Sequence, residues 1–212
     1  MGQILFALYY EKTMKKFLIY FSTIILCFSC VNAEEKVLEE EYKVITTIIE
    51  YKCQFYDKKV EAKQDTVKKY IFFGDSLWNV NLKKNATKRI NGELTLKHSY
   101  NGEEDSIYYP LVIKLADSAK TEEFQIPKIK SKYREQYVFE YDWNREFYPK
   151  NIMIKENISF SRVVFNTNKD RACIYVASVC GGECGGGILY FLKKVNDKWI
   201  IETDKTDLIW VS

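Results

Sequence analysis

Along residues 36 to 56, Leu38, Tyr42, Ile45, Ile49, Cys53 and Tyr56 recur at steps of three and four, the period of an amphipathic helix. A β-branched cluster, Val44 to Ile49 (VITTII), pulls the same stretch towards a strand. The helical period runs over the longer window, so the pattern predicts a helix. Lys58 to Lys69 is polar and reads as a loop.

The next stretch changes period. Tyr70 to Phe73, Leu77 to Leu82, Glu93 to Lys97 and Ile107 to Leu115 are short aromatic or β-branched runs bounded by Gly, Asn and Asp, and each reads as a strand. Ala116 to Tyr133 is more polar and partly helical in pattern, with Pro127 interrupting it. Tyr137 to Tyr141 reads as a strand, and Trp143 to Tyr148 as a short helix ending at Pro149.

Beyond it, Ile158 to Phe165 reads as one strand, Asn166 to Lys169 as a tight turn and Arg171 to Val179 as a second strand. The loop Cys180-Gly181-Gly182-Glu183-Cys184-Gly185-Gly186-Gly187 follows. Ile188 to Lys194 returns, Asn196-Asp197 turns, Trp199 to Glu202 completes the pattern and Leu208 to Val211 adds an edge strand. The expected fold class is α+β: an N-terminal amphipathic helix packed on an antiparallel sheet with a C-terminal β-meander. Neither an internal repeat nor a second linker interrupts residues 34–212, which are expected to form a single domain.

Ahead of that domain the pattern is different. Lys15 and Lys16 precede Phe17 to Phe28 (FLIYFSTIILCF), an uncharged apolar run followed by small residues, which is the order of a secretory signal. The run falls short of the roughly 20 residues that span a bilayer. Residues 1–13 fit no part of a signal and read as an upstream extension before a true start at Met14. Two cleavage sites compete. One follows Val31-Asn32-Ala33 and leaves Glu34 first; the other precedes Cys30.

Composition sharpens this picture only in part. Charged residues at 29% and aromatics at 16% describe a folded chain. About 180 residues remain after the signal, enough for one respectable core. The net charge of +3 is small, and the lysines are interleaved with acids, so no nucleic-acid footprint is expected. Cys27 and Cys30 belong to the signal. That leaves Cys53, Cys173, Cys180 and Cys184 in an oxidising compartment, where four cysteines allow three pairings.

The glycine-rich loop is the sharpest candidate for chemistry. Its five glycines permit a close reversal, and Cys180 and Cys184 are placed to close a small disulfide across it. Two free thiols and metal or redox chemistry are the alternatives. A redox pair favours C-x-x-C at a helix start, and zinc needs two further ligands. A phosphate cradle opens onto a helix, whereas a strand follows here. No metal and no cofactor is therefore expected.

His98 is the one histidine, so every Ser-His-Asp or Cys-His arrangement must pass through it, and its strand-end position reads as structural. Carboxylates are plentiful, but no spacing singles out a catalytic pair. Trp78, Trp143, Trp199 and Trp210 either line a sugar- or peptide-binding face or pack the sheet. Trp199 alternates with core-type neighbours; Trp143 and Tyr148 sit in a loop-like segment.

Phe160-Ser161-Arg162-Val163-Val164-Phe165-Asn166, Ala172 to Val176, the Cys180–Gly187 loop, Leu192-Lys193-Lys194 and Lys198-Trp199 form an ordered series. The series resembles an uncharacterised exported Bacteroidetes protein family with a C-terminal CGxxCGxG … LLKK … KW β-meander, over roughly residues 145–203. The resemblance implies a shared α+β domain and no known activity. Phe28-Ser29-Cys30 likewise resembles the lipobox of lipoproteins from that group, with Cys30 as the lipidated residue, and Glu34, Glu35 and Glu39 to Glu41 resemble an acidic surface tether. Asp65-Thr66, Asp75-Ser76, Asp105-Ser106 and Asp117-Ser118, each before an aliphatic or small residue, resemble O-glycosylation acceptors of the same group, or simply cap turns.

The sequence therefore points to an exported envelope protein, periplasmic or anchored to the outer membrane through Cys30. Its expected role is binding an envelope protein or small ligand, an immunity-type protein being one variant. Nucleic acid is not an expected partner, and membrane contact is expected only through the lipid. The rival is an envelope enzyme using Cys180 and Cys184 or a carboxylate pair.

Overall fold

The computed structural model describes residues 34–58, 69–74, 76–77, 107–117, 121–141, 155–179 and 185–211. The chain divides into two compact units, Met1–Glu40 and Glu41–Ser212. In the first, residues 34–40 are helical with no buried position. Residues 34–58 are helical and are called α1.

From Glu41 onward, α1 buries Tyr42, Val44, Ile45, Ile48, Ile49 and Cys53. Spacings of three and four residues, as between 42, 45 and 49 or between 44 and 48, put these on one broad face. The β-branched side chains lower helix propensity slightly. Burial outweighs that cost, because each such side chain removed from water contributes roughly 1.5–3 kcal/mol.

The strands are β1 (Lys69–Phe73), β2 (Ser76–Leu77), β3 (Glu122–Glu123), β4 (Tyr137–Tyr141), β5 (Lys155–Phe160), β6 (Val164–Phe165), β7 (Arg171–Val179), β8 (Gly185–Val195), β9 (Lys198–Ile201) and β10 (Asp207–Val211). A second helix, α2, covers Tyr109–Asp117, and two short 3-10 turns cover Ile126–Lys128 and Lys132–Glu135. The main sheet runs β10-β8-β7-β5-β1-β4, with β6 beside β7 and β9 beside β8; β2 and β3 form a separate pair.

The fold is α+β, and its C-terminal meander β5-β7-β8-β9 is antiparallel as expected. The sheet as a whole is mixed, however, because β1 lies between β4 and β5 and is parallel to both. Adjacent hairpins read out locally, whereas parallel neighbours require a long crossover that no short-range pattern announces.

Three further expectations change. Ile107 to Leu115, expected as a strand, falls largely in α2: Tyr108, Leu111, Val112 and Leu115 are buried at helical spacing, and Pro110 sits in the first turn, where proline is tolerated. Ile158 to Phe165 is two strands, not one, broken at residues 161–163. Gly185, Gly186 and Gly187, expected in the loop, are the first residues of β8 and pair with Val179, Ser178 and Ala177.

The two helices cover opposite faces of the sheet. On one face, α2 packs on Val164, Cys173, Tyr175, Leu189 and Phe191. Ile174 alternates to the other face and pairs with Tyr190, whose ring meets Tyr51 of α1 at 6.4 Å. Further along that face the rings of Phe73, Phe124 and Phe160 pack with centroids 5.3–6.1 Å apart. A Cβ on Gly74 would fall 2.9 Å from Ser159 Oγ, so glycine lets the end of β1 lie close beside β5. Asn196 and Asp197, at φ 49° and 62°, turn β8 into β9.

Candidate functional site

Polar ties run along the whole of α1 from Glu41. Arg162 Nε donates to both Glu41 carboxylate oxygens at 2.9 and 3.1 Å, and the Val163 amide adds a bond at 3.3 Å. Tyr42 Oη accepts from the Gln125 amide at 2.6 Å, and Glu50 accepts from the Lys132 amide at 3.0 Å. Lys52 Nζ lies 2.7 Å from Glu156 Oε1 with both side chains largely buried. At the far end, Asp57 accepts from Tyr137 Oη at 2.6 Å and from Lys69 Nζ at 2.9 Å.

Burial sets the titration of this seam. It pushes the Glu41 carboxyl above its usual range, against the opposing hydrogen bond and charge of Arg162. Burial also acts upward on Asp57, but the bonds from Tyr137 and Lys69 outweigh it and hold that carboxyl below its usual value. The Tyr137 hydroxyl is raised, first by burial and then by donation to Asp57. These groups clamp a helix to a sheet; their donors and acceptors are largely taken up by one another.

The motif that carried the family resemblance is absorbed in the same way. Ser161 is fully buried: its amide donates to Tyr175 O, and its Oγ accepts from the Tyr175 amide while donating to Arg162 O, at 2.8–2.9 Å. The side chain thus bridges the break between β5 and β6. Asn166 Oδ1 accepts from the amides of Asp170 and Arg171 at 3.0 Å, which fixes the turn into β7 with Lys169 at φ 54°. Trp199 is buried against Phe165, as its alternation suggested.

Cys53 and Cys173 are free, buried thiols. Cys53 is pushed up to about 12, mainly by burial and then by Asp57, Glu50 and Glu156, and burial alone raises Cys173. Neither is an activated nucleophile. Cys53 belongs to α1 and Cys173 faces α2 across the sheet, so the pair is kept apart. Cys30, Cys180, Cys184, His98, Trp78, Trp143 and Tyr148 lie outside the described residues. So do Asp65, Asp75 and Asp105. Among the described residues, no three His, Cys, Asp or Glu side chains gather as a metal site, and no helix is long and apolar enough to cross a membrane.

One charged surface escaped the sequence reading. Lys128, Lys130, Lys132 and Arg134 are exposed, while the intervening Ile129 and Ser131 are buried. Lys128 lies over the Tyr42 ring, Lys132 over Tyr133 and Arg134 over Phe139, at 5.2–5.9 Å. Among the described residues, none of the four forms an ion pair. The signal was present as strict alternation in K-I-K-S-K-Y-R, but a chain-wide charge balance averages it away. Large apolar side chains are exposed at several places: Tyr51 and Phe55 on α1, Ile107, Tyr109 and Ile113 at α2, and Val195 and Ile200 on the β8–β9 hairpin.

Comparison of the chain with protein-family models, with curated proteins and with solved structures finds no match.

Proposed function

We propose that this chain is an exported cell-envelope domain that acts by binding a partner, with Cys180 and Cys184 joined as a structural disulfide. The observation that carries the binding reading is the fate of the polar motif. Ser161, Arg162 and Asn166 are spent on scaffold hydrogen bonds, while the exposed groups include the cations of residues 128–134 and apolar side chains around α2, the chemistry of contact surfaces. Export rests on the charged, apolar and small-residue order of residues 14–33.

The disulfide gains support from register. Ala177, Ser178 and Val179 pair with Gly187, Gly186 and Gly185. The described ladder ends at the directly opposed pair Val179 and Gly185, whose chain neighbours are Cys180 and Cys184. Directly opposed residues in an antiparallel pair have Cα atoms about 4.5–5.5 Å apart, within the span of a disulfide. Formation takes two protons and two electrons from the thiols, and a protein disulfide of the envelope, reduced to its dithiol, accepts them.

Photo-crosslinking in cells from positions 109 and 113, on the exposed flank of α2, tests the binding reading. Capture of one discrete envelope protein from either position supports it. No product from either, in a chain that is folded and exported, counts against it. Thiol labelling separates the enzyme rival: two reactive cysteines at 180 and 184 in native protein favour thiol chemistry. Two blocked cysteines whose replacement by serine changes only stability sink it.

A further inference from the structure

We infer that Lys128, Lys130 and Lys132 form a docking strip, flanked by Arg134 in the 3-10 turn that follows, for an extended acidic polypeptide segment, one carrying carboxylates at every second residue. The inference rests on the reading of the chain as a binding domain and names its partner's chemistry. Ile129 and Ser131 have extended backbones and bury their side chains, so Lys128, Lys130 and Lys132 project together to solvent. At about 3.3 Å per extended residue, their spacing is about 6.5 Å. An extended partner with Asp or Glu at alternate positions repeats its charge at the same interval.

The row is built, not incidental. Its 129–131 core is pinned beneath: Ile129 is 1% exposed, Ser131 Oγ accepts from the Tyr133 amide, and the Lys132 amide is tied to Glu50 of α1. Lys128 and Lys132 lie over the Tyr42 and Tyr133 rings, which orient them without neutralising them, while Arg134, over Phe139, also donates to Ile126 O at 2.8 Å. Glu135 closes the row at its C-terminal end.

Two other anionic partners fit less well. A lipid surface is gripped by basic residues together with apolar side chains that insert, and here the apolar member, Ile129, points inward. Single-stranded nucleic acid needs free aromatic faces for base stacking. The rings of Tyr42, Tyr133 and Phe139 are already covered by the cations themselves.

The test is fluorescence anisotropy of the mature chain with a labelled twelve-residue peptide of alternating Glu and Thr. Saturable binding that weakens steeply with salt is expected. The triple variant Lys128→Gln, Lys130→Gln, Lys132→Gln should bind about tenfold more weakly or worse, with an unchanged unfolding midpoint. Removing the same charge from exposed Lys36, Lys58 and Lys198 should leave binding within about twofold. No peptide binding, equal loss in the control variant, or tighter binding to phosphatidylglycerol vesicles or to oligothymidylate would each overturn the inference. If the peptide fails while positions 109 or 113 still crosslink a partner, the strip is wrong and the binding reading survives. If neither succeeds, both fall.

Discussion

Glu41 on α1 and Arg162 at the break between β5 and β6 are 121 residues apart in sequence and share a buried, two-pronged ion pair. The carboxylate is 1% exposed and the guanidinium side chain 16%. Arg162 Nη1 also lies 3.3 Å from Glu122 Oε1, so β3 joins the same junction. That Nη1 makes no well-aimed hydrogen bond, and the contact with Glu122 is accordingly Coulombic.

Breaking this pair from one side strands a buried charge. Arg162→Ala is expected to destabilise the domain by about 3–5 kcal/mol in urea titration. Replacing both residues, Glu41→Leu with Arg162→Met, should cost less than the sum of the single changes. Simple additivity would show that the two side chains act independently.

The seam also sets the acid response. Glu41 is held above its ordinary 4.5, so its stabilising contribution is fully present below that value and is lost as pH rises through the raised one. Asp57 is held below its ordinary 3.8, so its contribution is present above that value and is lost as pH falls through the lowered one. Relative to the wild type, Glu41→Gln should remove a decline in stability towards neutral pH, and Asp57→Asn should flatten the acid limb. Urea midpoints across the acidic range read both signs.

Residues 113 and 115 decide between helix and strand. On a strand they would share a face; in α2, Leu115 is fully buried and Ile113 is 39% exposed. Leu115→Ala should therefore cost about 2–5 kcal/mol and Ile113→Ala less than about 0.5 kcal/mol. Equal costs would restore the strand.

The two buried thiols give a fourth expectation. In native protein, Cys53 and Cys173 should stay unlabelled by a thiol reagent at neutral pH, since burial holds Cys53 up to about 12 and raises Cys173 as well. In denaturant both should react. Labelling of either thiol before unfolding would show that α1 or α2 opens from the sheet.

Local pattern revealed the parts whose partners are near in sequence. Tyr137–Tyr141 and Arg171–Val179 form strands over the expected residues, and the Asn196-Asp197 turn follows from two residues that tolerate positive φ. Val112, Ile113 and the neighbouring tyrosines favour a strand locally, whereas positions 108, 111, 112 and 115 carry the helical step that burial selects. The parallel placing of β1 depends on β4 and β5, more than 60 residues away. Glu41 and Arg162 gave no joint signal, because charge pairing across 121 residues has no period. The cation row is written in the sequence as alternation, a short local signal that the chain-wide charge balance averages away.

The account turns on export of an oxidised envelope domain, and intact mass of the protein isolated from the cell envelope under non-reducing conditions tests it most directly. The expected mass is that of a chain beginning at Glu34, or at a lipid-bearing Cys30, and two hydrogen atoms lighter than its fully reduced form. A chain recovered with residues 14–33 still attached and all thiols reduced would contradict it.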